Sequence, residues 1–473
     1  MIKNDPVRAL RFMGIAIFGL IFYWTVKNGT GQQRGYVLVI GILIWATARF
    51  LLPRENADLH RTRRAMMGIL LLGVFLRLIY ALVFPTPPVS DFEFYVREAL
   101  QLVQGQVGQA LPKNPGYVLA LSLGFRLHPG WISGKLINLV SSSVSILILY
   151  LLGERLKKPR VGLMAAFLYA IFPAEIEMVT VLGTDVMATT VLAAAVYFFI
   201  LGVGGNDDHY IYFAALLLGL GITIRASILF FSPAFVGALV LVRLREFKRL
   251  VISASVFLVS LGIFPLLLAT WHSLSIGHAA VKLFSYQSSF PLLTGTNLDS
   301  QGLWTPEDAE LYYSWPAADR DRMAREKAWR RVSENPGRFM RMIPAKYETL
   351  LGQSDYGYYW SIRPIDWERH KLPGDIIKRL AVLIEQSTYI LFVGLACYRF
   401  IDSQDREPEI PAMAIASVVS LLVPFSIFEV QSRYHHLILP FIILAAGDGL
   451  LRIIRRVEGV GKLLTSGWTA GSP

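Results

Sequence analysis

Residues 88–103 read PVSDFEFYVREALQLV and directly follow a long apolar run, so Asp91 stands a few residues beyond a segment that can span a membrane. Ser90 and Glu93 have the spacing of a capping box, and apolar residues recur at helical spacing from Phe92 to Val103. This pattern predicts a short helix in the plane of the membrane interface, with Asp91 in its first turn. The carboxylate either complements the positive helix end or takes part in chemistry, and the rest of the chain must separate these two interpretations.

The composition indicates a polytopic membrane protein. Of 473 residues, 54% are hydrophobic and 17% are charged, and the apolar residues fall in blocks. The net charge of +12 does not point to nucleic acid, because Lys and Arg cluster in short segments between apolar runs and form no basic stripe with stacking aromatics. The single cysteine, Cys397, excludes an intrachain disulfide and a thiolate metal site.

The apolar runs predict an all-α fold with about 12 transmembrane helices and additional interfacial helices. The runs lie near residues 9–27, 36–52, 66–85, 131–152, 161–178, 185–203, 209–224, 227–243, 249–271, 377–398, 410–428 and 434–453. We divide the chain into two extra N-terminal helices at 1–60, a core at 61–271 with an outer loop at 86–130, a long loop or lid at 272–376, and C-terminal helices with a tail at 377–473.

Basic residues predict the orientation of these helices. Lys and Arg cluster around residues 54–64, 155–160, 243–249 and 452–456, which all fall on the cytoplasmic side if both termini are cytoplasmic. The same orientation puts most of the acidic and functional-looking residues on the extracytoplasmic side, together with the 272–376 segment. These residues are Asp91, Glu175, Glu177, Asp185, Glu429 and Arg433.

Several ionisable residues at the ends of apolar runs are candidate site residues. Asp185 follows Thr184 at the start of one run and either caps a helix or belongs to a site. Arg225 lies in a break between two runs, where an ionisable group is costly, although pairing with a carboxylate explains it equally well. Glu429 and Arg433 are four residues apart and could simply pair with each other.

The sequence contains only weak indications of a metal site and no motif for nucleotide hydrolysis or serine chemistry. The eight histidines show no metal-binding spacing, and His435 and His436 are expected to be interfacial residues. A divalent cation held by Asp91, Asp185 and Glu177 is compatible with the preference of Mg²⁺ and Mn²⁺ for carboxylates. Phosphate-cradling P-loops and Gly-x-Ser-x-Gly elbows do not occur, which argues against nucleotide hydrolysis and serine chemistry.

The order of several short motifs resembles the membrane glycosyltransferases of the GT-C fold, in particular the branch of protein O-mannosyltransferases and aminoarabinose transferases (glycosyltransferase family 39-like). The motifs that carry the resemblance are residues 90–95, 114–117, Asn138 with 150–155, 170–173, 184–185, 219–225, and 433–434 with Pro440. The likeness covers roughly residues 66–450. The chain departs from the family in its two additional N-terminal spans and in Asn114-Pro115, where the family often has two prolines.

The resemblance implies transfer of a sugar from a polyprenyl-phosphate donor, on the extracytoplasmic face of what we expect to be a bacterial plasma membrane, to a protein, glycan or lipid acceptor. Asp91 matches the acidic residue that acts as the base in this family, and Asp185 is the second expected catalytic residue. The donor phosphate is expected to contact Arg225, Arg433, Lys346 and Tyr117, because cations can neutralise it. Supporting residues are expected at Glu429, Glu177, Tyr434 and Asn297.

Other classes of protein also need many spans and intramembrane charges. A secondary transporter or lipid flippase is the main alternative, and a non-catalytic membrane subunit is a second. Transport favours ionisable groups near the midplane and broken helices in symmetric halves. In this sequence the candidate residues lie at one predicted edge of the membrane, which favours the transferase.

The predicted orientation can be tested by labelling single cysteines in a Cys397→Ala background. Cysteine at Ser300 or Ser432 should react with an impermeant maleimide added from outside intact cells, whereas cysteine at Lys158 or Phe247 should react only after permeabilisation. Labelling of Lys158→Cys or Phe247→Cys from outside intact cells would show that the predicted orientation is wrong.

Overall fold

The computed structural model describes residues 6–51, 53, 59–108, 111–128, 130–276, 289–370, 373–402 and 407–469. Residues 277–288 of the predicted loop and Arg54 of the first basic cluster lie outside the described residues.

The all-α prediction is confirmed, since the described ranges contain helices and no strand. The first ten helices are α1 (Pro6–Asn28), α2 (Gly31–Leu51), α3 (Leu59–Val83), α4 (Asp91–Val103), α5 (Pro115–Leu127), α6 (Trp131–Arg155), α7 (Pro159–Ile171), α8 (Pro173–Glu177), α9 (Asp185–Gly205) and α10 (Asp208–Ile224). The others are α11 (Ser232–Arg243), α12 (Phe247–Ile276), α13 (Ser289–Gly295), α14 (Pro306–Ser314), α15 (Arg320–Glu334), α16 (Pro336–Leu351), α17 (Gly374–Ile401), α18 (Glu409–Phe425) and α19 (Leu439–Thr469).

The chain is an integral membrane protein with fewer clear spans than the twelve predicted from sequence. Among the described residues, 8 helical stretches are long and apolar enough to cross a membrane, or 9 if the bent pair Pro159–Ile171 and Pro173–Thr180 counts as one. Helices α10 and α18 are apolar but shorter, with 17 residues each. The expected number of about 12 is therefore not confirmed.

Helices α7 and α19 form the centre of the bundle. Residues 161–170 of α7 are all buried, and α19 packs against both α7 and α17. Helix α6 contacts α7 so closely that a Cβ on Gly153 would lie 2.3 Å from the Cα of Gly162. The two backbones touch because neither glycine carries a side chain. Outside this core, α9 packs on α6, and α10 joins α9 to α12.

A sharp break separates α7 from α8 in the middle of the bundle. Pro173 begins α8, and the axes on either side of the break differ by 61°. The carbonyls freed at the end of α7 are satisfied by Arg77 of α3, which donates Nη2 to Tyr169 O at 3.1 Å and Nη1 to Ala170 O at 2.9 Å. Arg77 is fully buried and also donates Nε to Ser142 Oγ at 2.7 Å. The planar guanidinium thus supplies the hydrogen-bond donors that the carbonyls at the break lack within the helix.

A cap formed by α13–α16 lies against the segment that connects α18 to α19. Val430 N donates to Gly302 O at 3.1 Å, and Glu429 N donates to Pro291 O at 2.8 Å. Lys346 of α16 is buried inside the cap, where its Nζ donates to Gly295 O at 2.6 Å and reaches Ser426 O of the connecting segment at 3.0 Å. These contacts attach the cap to the connecting segment at three points.

Replacing Arg77 tests the break. Arg77→Met keeps much of the apolar volume but leaves the carbonyls of Tyr169 and Ala170 without donors, so the free energy of unfolding should fall by about 2–4 kcal/mol. The measurement is thermal unfolding in detergent, with Arg126→Met, an exposed arginine on α5, as the matched control. Equal unfolding midpoints for both variants would contradict the role assigned to Arg77.

The pH dependence of stability tests the burial of Lys346. Burial lowers the pKa of Lys346 to about 7, whereas the unfolded chain retains a pKa near 10.4. Between these values the unfolded state binds a proton that the folded state does not, so the free energy of unfolding rises with pH by up to about 1.4 kcal/mol per pH unit. Lys346→Met lacks this contribution. Between pH 7 and 9.5 the unfolding midpoint of the wild type should therefore rise relative to that of Lys346→Met. Parallel curves of unfolding midpoint against pH for the two proteins would contradict the prediction.

Candidate active site

The carboxylate of Asp91 stands at the start of α4, between two cations. Lys113 Nζ lies 2.9 Å from Asp91 Oδ2, and Arg433 Nη2 lies 3.8 Å from the same atom. The Asp91 side chain remains 38% exposed, so an incoming molecule can reach it. The predicted capping box is not formed, because Ser90 has φ 57° and ψ −131° and its side chain makes no capping hydrogen bond.

The backbone is strained at the residues that directly precede α4 and α5, the two helices on either side of this ion pair. Ser90 and Asn114 each have a positive φ although neither is glycine, which is costly and often found at functional sites. Asn114 lies in the left-handed region directly before Pro115, and its Nδ2 donates to Tyr95 OH at 2.8 Å. A Cβ on Gly116 would lie 2.2 Å from Thr223 Oγ1, so α5 lies directly against the end of α10. This contact brings Lys113 towards Arg225.

Asp185 and Arg225 form a second, more buried ion pair. Arg225 Nη1 lies 2.6 Å from Asp185 Oδ1 and donates to Thr184 Oγ1 at 3.0 Å. Their side chains are 11% and 2% exposed. Arg225 has extended backbone angles immediately after α10 ends, which turns its side chain towards the start of α9. The sequence left open whether Arg225 pairs with a carboxylate, and the structure shows that it does.

Arg433 lies in the 3₁₀ turn Ser432–Ile438 and is held by aromatic rings. Its guanidinium carbon is 4.8 Å from the centroid of Trp360 and 5.3 Å from that of Phe92, and Tyr434 is the third ring nearby. The Arg433 side chain is 9% exposed, and its Nε is buried without a hydrogen-bond partner. An unpartnered buried donor in a charged cluster is suited to receive an anionic group.

The charges of the cluster shift the pKa values of Asp91 and Lys113. Burial raises the pKa of Asp91, but the positive charges of Lys113 and Arg433 outweigh it, so the net pKa lies below its ordinary value. Burial lowers the pKa of Lys113, but Asp91 outweighs it and the net pKa is raised. Both groups are charged at neutral pH.

Glu429 and Tyr434 contact each other beside this cluster. Glu429 Oε1 accepts from Gln431 Nε2 at 2.6 Å and from Tyr434 OH at 3.2 Å. Glu429 Oε2 accepts from Thr294 Oγ1 at 3.3 Å, which links the cap to the cluster. The Tyr434 ring lies 5.0 Å from the guanidinium carbon of Arg225. Tyr434 thus bridges Glu429 and Arg225.

The remaining predicted residues lie outside the charged cluster. Lys346 donates to the backbone carbonyls of Gly295 and Ser426, and Asn297 forms a turn within the cap while its Nδ2 donates to Asp308 at 2.8 Å. Tyr117 is fully buried and packs edge to face against Tyr95, with centroids 5.6 Å apart. Glu177 is buried at the end of α8, next to Gly357.

The three carboxylates that were expected to share a cation do not converge. Asp91 pairs with Lys113 and Asp185 with Arg225, whereas Glu177 lies against Gly357. In the described part of the chain, no group of three or more His, Cys, Asp or Glu side chains is arranged to hold a metal ion. A divalent cation therefore remains a prediction from sequence.

Sequence reasoning missed several residues of the site. Lys113 lies just before Pro115 in the short motif that ends at Tyr117. Its positive charge within that motif was the available signal. Trp360 gave no signal, because its position depends on how the long loop folds back. His435 and His436 are fully buried, so their interfacial placement is wrong. His436 Nε2 lies 3.1 Å from Glu175 Oε1, and its Nδ1 is 2.7 Å from Thr189 Oγ1.

Comparison with protein families gives one match. The family model described as dolichyl-phosphate-mannose-protein mannosyltransferase matches residues 112–271, which is less than half of the chain. This range contains Lys113, Asp185 and Arg225 but not Asp91 or Arg433. The search of curated proteins found no match.

Solved structures show a shared fold at low sequence identity. The archaeal oligosaccharyltransferase AglB from Archaeoglobus fulgidus, in complex with an inhibitory peptide and a dolichol-phosphate, aligns with a TM-score of 0.50 at 15% identity, covering 85% of this chain and 52% of that one. The Archaeoglobus fulgidus oligosaccharyltransferase in complex with Zn and sulfate has a TM-score of 0.48 at 14% identity, covering 82% and 49%. ArnT from Cupriavidus metallidurans bound to undecaprenyl phosphate has a TM-score of 0.35 at 14% identity, covering 82% and 77%.

This chain thus spans about half the length of the archaeal enzyme. AglB is a GT-C glycosyltransferase, and its alignment extends over most of this chain. The chain has the fold of the GT-C membrane glycosyltransferases.

Proposed function

We propose that this protein transfers a sugar, a hexose or a pentose, from a polyprenyl-phosphate donor to a hydroxyl or amine acceptor on a protein, glycan or lipid. The observation that carries the proposal is the exposed Asp91 carboxylate placed between Lys113 and Arg433. A base for the acceptor and cations for a phosphate are the two requirements of this transfer. The dolichol-phosphate and undecaprenyl phosphate bound to AglB and ArnT are consistent with such a donor.

The charge of the cluster favours an anionic ligand. Three cations, Lys113, Arg225 and Arg433, stand against the two carboxylates of Asp91 and Asp185. Asp185 is already bonded to Arg225 at 2.6 Å, which leaves Lys113 and Arg433 around one exposed carboxylate. A phosphate diester would balance the remaining positive charge. Lys113 and Arg433 would therefore bind the donor phosphate, and the Arg225–Asp185 pair would form the wall of its site.

The reaction follows from these positions. Asp91 accepts the proton of the acceptor while the acceptor oxygen or nitrogen forms a bond to the anomeric carbon from the opposite side to the phosphate. The bond from the anomeric carbon to the phosphate oxygen breaks, its electron pair stays on the oxygen, and polyprenyl phosphate leaves. The configuration at the anomeric carbon is inverted.

The lowered pKa of Asp91 is compatible with this role. Asp91 is ionised at neutral pH and is ready to accept a proton. Donor binding would share the charges of Lys113 and Arg433 with the phosphate, so the pKa of Asp91 would rise towards its ordinary value when the donor is present. Binding of the donor thereby strengthens the base that takes the proton of the acceptor.

The proposed orientation puts this chemistry on the extracytoplasmic side, as supported by the basic clusters at 155–160, 243–249 and 452–456. A polyprenyl chain could then lie in the bilayer while its phosphate reaches the site. The α13–α16 cap would cover the acceptor side. A transporter is less well supported, because the charged residues gather at one cluster and not in two symmetric halves.

Substitution of Asp91 tests the proposal. Asp91→Asn preserves size and removes the proton acceptor, so kcat for sugar transfer should fall by about two to four orders of magnitude. Donor affinity should not fall, because Lys113 and Arg433 remain. Glu93→Gln, which changes an exposed carboxylate on the same helix, is the control.

The assay uses purified protein with a panel of radiolabelled polyprenyl-phosphate sugars and measures label leaving the lipid. Near-normal turnover in Asp91→Asn would show that Asp91 is a helix-end residue. Loss of donor binding with normal folding would move Asp91 from proton transfer to the donor site.

A further inference from the structure

Two buried carboxyl groups contact one turn outside the charged cluster. Glu177 ends α8 and Glu385 lies in α17, with 6% and 0% of their surfaces exposed. Both side chains lie at Gly357, the residue directly before the π-helical turn Tyr358–Ile362.

Glu385 uses both of its oxygens to hold the next segment of the chain. Its Oε1 accepts from Gly357 N at 3.0 Å and its Oε2 accepts from Tyr358 N at 3.0 Å. These two N–H groups begin the π-helical turn Tyr358–Ile362. The two carboxyl oxygens of Glu385 thereby join α17 to the start of this turn. A Cβ on Gly357 would lie 2.5 Å from Glu177 Oε2, so this position requires glycine.

The π-helical turn carries Trp360 into the charged cluster. The Trp360 ring meets Phe92 edge to face with centroids 5.1 Å apart, and the guanidinium carbon of Arg433 lies 4.8 Å from its centroid. Ser361, the next residue, accepts a hydrogen bond at its carbonyl from Thr86 and shares a hydroxyl–hydroxyl hydrogen bond with Thr180. The orientation of this turn therefore decides which way Arg433 faces.

We propose that Glu385, through its bonds to Gly357 N and Tyr358 N, and Glu177, through its contact with Gly357, position Trp360 and thereby the Arg433 guanidinium for binding the phosphate of the lipid donor. Both glutamates are positioning residues, since neither reaches the reacting atoms. The inference rests on the proposed function only in naming the phosphate as the ligand. The link from Glu385 to Trp360 stands on the hydrogen bonds of the protein itself.

Two isosteric variants separate the roles of the two glutamates. Glu385→Gln replaces one acceptor oxygen by an NH₂ group and loses one of the two backbone bonds, so affinity for undecaprenyl phosphate should fall by about tenfold. Glu177→Gln leaves both backbone bonds of Glu385 in place and should stay within about twofold of the wild type. Equal losses in both variants would show that the backbone bonds of Glu385 do not position the turn.

A double-mutant cycle tests whether Glu385 acts through Trp360. Trp360→Ala should weaken binding of undecaprenyl phosphate, and Glu385→Gln combined with Trp360→Ala should be no weaker than Trp360→Ala alone. Additive losses would show that Glu385 acts by another route. A merely structural role would lower thermal stability in both backgrounds without this non-additivity.

A measurement without ligand keeps this inference separate from the proposed function. The chain has 10 tryptophans, so the contribution of Trp360 is obtained as the difference between each protein and its Trp360→Phe counterpart. Acrylamide should quench the Trp360 contribution more strongly in Glu385→Gln than in the wild type or Glu177→Gln. Gly357→Ala, which pushes the turn away from Glu177, should act like Glu385→Gln.

Unchanged quenching in both Glu385→Gln and Gly357→Ala would overturn the positioning role. Altered quenching in proteins that never bind undecaprenyl phosphate would instead overturn the proposed donor and leave the positioning role in place.

Discussion

Arg77 donates to the carbonyls of Tyr169 and Ala170 at the point where the central helix stops, and much of the structure depends on this interaction. A membrane offers no water to satisfy carbonyls freed by a break, so a break at this depth needs a donor from the protein. The guanidinium supplies several donors from one side chain. With the carbonyls satisfied, the chain can bend by 61° and continue through α8 to the start of α9. Asp185 begins α9, so the break decides where that carboxylate stands.

The charged cluster shows how ionised groups are kept near a membrane. Burying a charge is costly unless a partner is close, and each carboxylate of the cluster has a cation within 3 Å. The two ion pairs of the cluster differ in their exposure to solvent, however. The Asp185–Arg225 pair is almost fully covered, whereas Asp91 keeps an open side. The covered pair is suited to a fixed role in shaping the site, and the open carboxylate is suited to exchange its partners when a ligand enters.

The sequence could predict this cluster in part. Asp91, Asp185 and Arg225 each follow or begin an apolar run, and ionisable residues at such positions are conspicuous because their burial is expensive. Spacing was less informative: Ser90 and Glu93 fit a capping box, but the backbone of Ser90 has φ 57°. Lys346 lies in an amphipathic helix, and periodicity does not tell which neighbour covers a given lysine. Glu385 bonds to Tyr358 N and Trp360 meets Arg433 through contacts between distant segments, which no local pattern records. The predicted number of about 12 spans was not confirmed, since two of the apolar runs form helices of only 17 residues among those the structure describes.

Arg433 follows Asp91 by most of the length of the chain and lies in the turn directly before α19. Membrane helices enter the bilayer in the order of synthesis, so Asp91, Lys113 and Arg225 are in place before Arg433 is made. During that interval the cluster lacks one of its cations, and the aromatic rings that later surround the Arg433 guanidinium have no cation to contact. Insertion of α19 is consequently the event that completes the site, and a nascent chain arrested before α19 would have the apolar core of the first helices without a usable reaction centre.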